Sequence, residues 1–150
     1  MKVLFVCTGN TCRSPLAEVI FNSKKNKEDM KAYSAGISIV PGSTASNNSS
    51  YIALEALEAD IKGRKAVQLT SSILEEMDLI LTMTAYIKEA IINRFPELKN
   101  KVFSLKEYVG VKGDVMDPYG GSINIYRETY KELENLIVKL LVKIEGDSNL

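Results

Sequence analysis

The chain has 150 residues, of which 45% are apolar, and its nineteen basic and nineteen acidic side chains cancel; this suits one soluble domain and leaves no global field to recruit nucleic acid or an anionic membrane. With two cysteines and no histidine, a disulfide framework, Cys-rich or His-ligated metal sites and every mechanism that needs an imidazole base are excluded. The apolar run at the N-terminus stops at Cys7, too short for a signal-peptide core or a membrane span, so the expected location is the cytoplasm.

Residues 2–6, KVLFV, form a short apolar run rich in β-branched and aromatic residues, as expected of a strand buried on both faces. The small, polar segment TGNTCRS follows, and Ser14 with Pro15 reads as an N-cap and first helical position leading into PLAEVIFNSKK. A second strand is expected over 31–37, KAYSAGI, and then a Gly-, Pro-, Ser- and Asn-rich loop, SIVPGSTASNNSS, which should form a wall or rim. Leu54, Leu57 and Ile61 recur at helical spacing and predict a helix over 50–60. DLILTM (78–83) is a third strand. Ile87, Ala90, Ile91 and Phe95 line one face of a helix that ends near Pro96, and KVFSL (101–105) is the fourth strand. From Tyr126 through Tyr130, Leu133, Ile137, Leu140 and Leu141 to Ile144, apolar side chains mark a long helix over 122–145.

Strands alternating with helices predict a single-domain α/β fold, a four-stranded parallel sheet with helices on both faces, because right-handed crossovers cover both sides of the sheet. Such sheets bind ligands beyond the C-terminal ends of their strands, which directs attention to the loop after the first strand.

That loop is Cys7-Thr8-Gly9-Asn10-Thr11-Cys12-Arg13-Ser14. Gly9 allows a left-handed residue, so that successive backbone N–H groups converge on an anion, and the helix start adds about half a unit of positive charge. Arg13 offers a planar fork for two oxygens of a phosphoryl group. The same surroundings, with the Ser14 hydroxyl, favour a thiolate at Cys7, which can attack phosphorus to form a phosphocysteine. A proton donor is still needed. Asp117, on the turn-forming segment Asp-Pro-Tyr-Gly-Gly (117–121), can reach over the same crevice to protonate the leaving group and later to take a proton from water. Arg13, the backbone amides and the helix end do the work of a cation, so no metal or organic cofactor is expected.

The run VLFVCTGNTCRSPLAE, followed by YSAG, ILTMT and DPYGG, closely resembles the low-molecular-weight protein tyrosine phosphatase family over nearly the whole chain. The resemblance implies Cys7 as nucleophile, Arg13 as phosphate binder and Asp117 as general acid, with Thr8, Gly9, Asn10, Thr11, Cys12, Ser14 and Tyr119 around the phosphoryl group. It implies phosphorylated proteins as partners and inorganic phosphate as product. Cys12 matches a second loop cysteine that, in relatives, forms a reversible disulfide with the nucleophile. Thr11 stands where tyrosine-specific members commonly carry Ile and resembles the bacterial protein-arginine phosphatases, as do SLKEYV (104–109) and DPYGGSINIY (117–126). A hydroxyl there can accept a hydrogen bond from a guanidinium, so phosphoarginine is the expected substrate and phosphotyrosine, with Tyr119 stacking on the ring, the alternative. Arg64 falls where relatives often have a histidine that holds the loop through the positions of Asn10, Ser14 and Ser34. Arginine donates but cannot accept, so either the network is rewired or Arg64 points to solvent. Two further readings remain. A thiol-linked arsenate reductase needs cysteines after Cys12, where the chain has none; a phosphate-binding module without turnover would not need Asp117.

Overall fold

The structure, a computed structural model, describes residues 1–147. Strand β1 (Lys2–Cys7) leads to helix α1 (Arg13–Lys24), β2 (Lys31–Gly36), α2 (Asn47–Leu57), α3 (Ser71–Glu76), β3 (Leu79–Thr82), α4 (Ala85–Arg94), a 3₁₀ turn (Pro96–Leu98), β4 (Val102–Ser104), α5 (Leu105–Tyr108) and α6 (Ile123–Asp147). The four strands form one parallel sheet in the order β2-β1-β3-β4. The chain leaves β1 towards β2 and later returns to its other edge with β3. The order of the sheet therefore reverses beside β1, and that is where such sheets open a crevice at their carboxyl ends.

Side chains alternate across β1 and sort the core into two layers. Val3, Phe5 and Cys7 face α1, α2 and α6, where Leu16, Ile20, Phe21, Leu133, Ile137 and Leu140 are buried. Leu4 and Val6 face α3 and α4, against Leu74, Ile87 and Ile91. Phe5 and Phe21 meet edge to face with ring centroids 6.0 Å apart, and burying each contributes about 1.5–3 kcal/mol. The apolar stripe predicted for α6 is present in full, since Tyr126, Tyr130, Leu133, Ile137, Leu140, Leu141 and Ile144 are all buried. No helix among the described residues is long and apolar enough to cross a membrane.

Hydroxyl caps start the helices on the loop side of the sheet. Ser46 accepts from the Ser49 amide, Thr70 from Ile73, Thr84 from Ile87 and Ser104 from Glu107, the last closing a capping box. Lys88 holds the Glu107 carboxylate at 2.8 Å, and this hydrogen bond, ahead of the capping contacts, keeps Glu107 below the usual carboxylate range.

Three sequence expectations shift. Helix α1 starts at Arg13, with Cys12 rather than Ser14 in the capping position and no side-chain cap; the Ser14 hydroxyl turns instead to the sulfur of Cys7. Helix α2 starts three residues early, at Asn47, because the Ser46 cap fixes its beginning. Packed against α1 and α6, it turns Ser49, Ile52 and Ala53 inward and leaves Leu54 56% exposed. On α4, Ile87 and Ile91 are buried as expected but Ala90 is exposed. The short helices α3 and α5 and the 3₁₀ turn are additions, each too brief for apolar periodicity to reveal.

Candidate active site

The carboxyl end of β1, the start of α1, the loop before α2 and the segment after α5 enclose one cleft of about 770 Å³. Its lining includes Cys7, Thr8, Gly9, Thr11, Cys12, Arg13, Asp117 and Tyr119. Of the ten predicted site residues, Asn10 and Ser14 lie behind this lining as fully buried side chains. The loop SIVPGSTASNNSS supplies Val40, Ser43, Thr44, Ser46 and Asn48 to the opposite wall, as its composition led one to expect.

Cys7 ends the strand and is buried up to its cleft-facing sulfur. The Asn10 amide points at that sulfur from 3.2 Å, and the Ser14 hydroxyl lies 2.8 Å from it. These groups stabilise negative charge on sulfur and offer no base.

The loop turns through Asn10, not through Gly9. Asn10 has φ of 57°, whereas the φ of Gly9 is not in the left-handed region. Asparagine tolerates that region better than other side chains, and here the side chain is tied down at both ends. Its Oδ1 accepts from the Val67 amide at 2.8 Å and from Arg64 at 3.1 Å, while Nδ2 donates to Ser14 at 2.7 Å and to Ser34 at 3.1 Å. A side chain at Gly9 would meet nothing closer than Thr11 Oγ1 at 3.9 Å, so what Gly9 contributes is open space in the cleft. The glycine the loop cannot spare is Gly36, opposite Cys7 in the sheet. A Cβ there would stand 2.6 Å from the Thr8 carbonyl and 3.0 Å from the Asn10 amide.

Arg64 turns inward, which decides between the two readings of this position. It donates to Asn10 Oδ1, to Ser34 Oγ at 2.7 Å and to Glu18 Oε1 at 3.3 Å. A guanidinium thus joins Asn10, Ser34 and Glu18 behind the loop.

Arg13 is buried at the floor of the cleft. Its Nη1 donates to the Val115 carbonyl at 3.0 Å and its Nη2 lies 3.7 Å from Asp117 Oδ2. The segment carrying Asp117 is pinned by the Val115 amide on the Met83 carbonyl, 2.9 Å, at the end of β3. Asp117 itself accepts from the Tyr119 amide at 3.0 Å, and Gly121 closes the turn on the Pro118 carbonyl at 2.8 Å. Half-exposed Asp117 thus overhangs the cleft that Arg13 underlies, and Tyr119 stands at its mouth with 81% of its surface free.

Both thiols are free. Cys12 is buried and its sulfur lies 3.4 Å from the Tyr126 hydroxyl and 3.7 Å from Thr11 Oγ1. Burial first, and then the hydrogen bond with Cys12, push the Tyr126 phenol up to about 12. Sequence reasoning took Tyr126 for a core position of α6 and missed its place on the cleft wall. It also missed Glu18 and Val115. Glu18 carried a signal, being four residues after Ser14 and so on the same helix face; the Val115 carbonyl carried none.

With this geometry, thiolate attack, oxyanion binding and proton transfer can all be served from one cleft. The profile of the low molecular weight phosphotyrosine protein phosphatase family matches residues 2–149. A Bacillus subtilis (strain 168) protein-arginine-phosphatase is 43% identical, with 98% of this chain and 99% of the relative covered. The Staphylococcus aureus low molecular weight protein-tyrosine-phosphatase PtpB is 45% identical over 93% of this chain and 96% of its own length. Among solved structures, a mutant of the YwlE arginine phosphatase with a phosphorylated active-site serine superimposes with a TM-score of 0.91 at 40% identity, covering 98% of this chain and 97% of that one. The chain belongs to the low molecular weight phosphotyrosine protein phosphatase family.

Proposed function

We propose that the chain is a cysteine-dependent protein phosphatase that hydrolyses phosphorylated side chains, with phosphoarginine as its preferred substrate. The observation that carries this reading is the single cleft in which the Cys7 sulfur, the Arg13 guanidinium and the Asp117 carboxyl converge. In the first step the Cys7 thiolate attacks phosphorus, the bond to the leaving group breaks, and the leaving nitrogen or oxygen takes the proton of the Asp117 carboxyl. Arg13 and the loop amides hold the equatorial oxygens as charge builds up on them. In the second step Asp117, now a carboxylate, takes a proton from water; the water oxygen attacks phosphorus and the Cys7 thiolate leaves, releasing inorganic phosphate. Ser14 and the Asn10 amide receive the returning charge on sulfur. Thr8, Gly9, Asn10, Thr11, Cys12 and Ser14 form the cradle, with no metal or organic cofactor.

The preference for phosphoarginine rests on Thr11, whose hydroxyl lines the cleft and can accept from a substrate guanidinium as an aliphatic side chain cannot. The Bacillus subtilis relative, itself a protein-arginine-phosphatase, supports the same reading. A second reading, phosphotyrosine, is favoured by Tyr119, an exposed ring at the mouth where it can stack on an aromatic substrate. Kinetics on phosphoarginine and phosphotyrosine peptides separate the two. The ratio of kcat/KM values favours phosphoarginine in the wild type and moves towards phosphotyrosine in Thr11→Ile; a ratio that does not move removes Thr11 from the account. The same reading puts the enzyme in the cytoplasm, a reducing compartment in which two free thiols persist.

A further inference from the structure

On the wall of the cleft, two hydroxyls from distant parts of the chain flank one buried sulfur. Tyr126 Oη lies 3.4 Å from Cys12 Sγ, and Thr11 Oγ1 lies 3.7 Å from the same atom, so the two oxygens are close enough for one planar group to reach both. Helix α6 holds the Tyr126 ring in the core layer, and yet the residue lines the cleft. A phenol is a better donor than a thiol, so the hydrogen of Tyr126 is directed at sulfur and its oxygen keeps its lone pairs. Ser46, whose own oxygen accepts from the Ser49 amide, can fill one of them; another is left. Burial first, and then Cys12, keep the phenol protonated, while the charge of Asp117 reaches it through space. The Tyr126 oxygen is therefore near both the phosphate loop and the acid, the two parts that bracket the leaving group in the proposed reaction.

A phosphorylated guanidinium brings more donors than the reaction uses. Asp117 serves the nitrogen bonded to phosphorus, and the N–H groups on the other two nitrogens must find acceptors in the cleft to replace the water they leave. Asp117 is the one carboxylate in the lining, so uncharged oxygens have to do this work. We propose that Tyr126 is a specificity-determining residue whose hydroxyl accepts a hydrogen bond from the substrate guanidinium, beside the one that Thr11 accepts. This rests on phosphoarginine being the substrate. A single acceptor fixes one point of a planar group; two acceptors, one on the loop and one on α6, fix its orientation as well and so aim the scissile bond at Cys7. A phosphotyrosine ring has no N–H to offer there and leaves the oxygen of Tyr126 without its partner. The same hydroxyl thus favours one substrate and works against the other.

The test is Tyr126→Phe in the full chain, which keeps the buried ring and removes the oxygen alone. Values of kcat and KM are measured on three peptides of one sequence that carry phosphoarginine, phospholysine or phosphotyrosine. Phospholysine has the same phosphorus–nitrogen bond but no second or third nitrogen, so it separates recognition of the guanidinium from the chemistry of a nitrogen leaving group. The ratio of kcat/KM on phosphoarginine to that on each of the other two peptides is expected to fall about tenfold, the scale of one buried hydrogen bond. A loss of equal size on all three peptides makes Tyr126 a packing residue and overturns the proposal, as does an unchanged rate on phosphoarginine. If Tyr126→Phe does not fold, the wild type decides with a phosphoarginine peptide methylated on its unphosphorylated terminal nitrogen. That peptide is expected to react about tenfold more slowly, and turnover equal to that of the unmethylated peptide overturns the proposal. Failure of the reading beneath it looks different: the wild type would then prefer phosphotyrosine before any substitution is made, and this proposal would fall with it.

Discussion

Arg13 Nη2 lies 3.7 Å from Asp117 Oδ2, so the cleft's buried cation and its half-exposed carboxyl stand as an ion pair within the lining of the cleft. An arriving dianion competes with Asp117 for the guanidinium. In the reaction proposed above, Arg13 would therefore have to exchange Asp117 for the phosphoryl oxygens as substrate binds.

Asp117→Asn keeps the size of the side chain and removes the transferable proton. Turnover of a phosphopeptide should fall by about 10²–10⁴-fold, the usual worth of general acid–base catalysis. The loss should be smaller on para-nitrophenyl phosphate, whose leaving group needs a proton least. Steady-state rates on both substrates check this; equal losses on the two would argue that Asp117 binds rather than protonates.

Arg13→Lys keeps the charge but gives up the planar fork and the bond to the Val115 carbonyl. A fall of about 10²–10³ in kcat/KM is expected, the scale seen when one donor to a transition-state oxyanion is removed. Competitive inhibition by inorganic phosphate should weaken in parallel, and inhibition constants measured for both proteins would show it.

Gly36→Ala puts a methyl group 2.6 Å from the Thr8 carbonyl, with backbone on the far side that cannot yield without moving the loop. Overpacking of this kind costs about 1–3 kcal/mol. Because the displaced atoms belong to the loop proposed to hold the phosphoryl group, kcat/KM should fall further than the melting temperature alone implies. Calorimetry beside kinetics tests this, and a variant of lower Tm with intact turnover contradicts it.

At alkaline pH the folded state should weaken through two phenols. Tyr126 is pushed up to about 12 by burial and then by its hydrogen bond with Cys12, and Tyr130 is pushed higher still by burial and by Glu134. In the unfolded chain both ionise near pH 10. A raised value means a stabilising contribution that is complete below about pH 10 and is lost as pH climbs through the folded value of about 12. Phenolate absorbance should show two of the seven tyrosines titrating late, and the unfolding midpoint should begin to drop from about pH 10. A midpoint flat across that window would contradict the assignment.

The four strands and α6 were legible because each carries its own local signal, an apolar run or a long stripe at helical spacing, whereas the order of the strands in the sheet has no such signal. Cys7, Arg13 and Ser14 were legible for a related reason: the loop that bears them is continuous in sequence, so spacing alone brings them to one helix entrance. Asp117 could be read only by pairing it with that loop. What stayed hidden depends on partners far along the chain. Whether Gly9 or Asn10 takes the left-handed turn is decided by Arg64 and Val67, 54 and 57 positions away, and Tyr126 meets Cys12 across 114 positions. Leu54 misled because helical spacing gives a stripe but not which face of the helix packs on its neighbours, here Ser49, Ile52 and Ala53 against α1 and α6.

Cys7 ends a strand that is hydrogen-bonded along both edges, to β2 and to β3, whereas Asp117 hangs on a segment without regular structure, held mainly where Val115 meets Met83 and Arg13. Amide exchange should therefore be slow along β1, opening only with the whole domain, and fast around Asp117. If Cys7 and Asp117 share the proposed chemistry, the sulfur would ride on the sheet and the carboxyl on an irregular stretch, so that a bulky protein substrate would shift the carboxyl more readily than the sulfur.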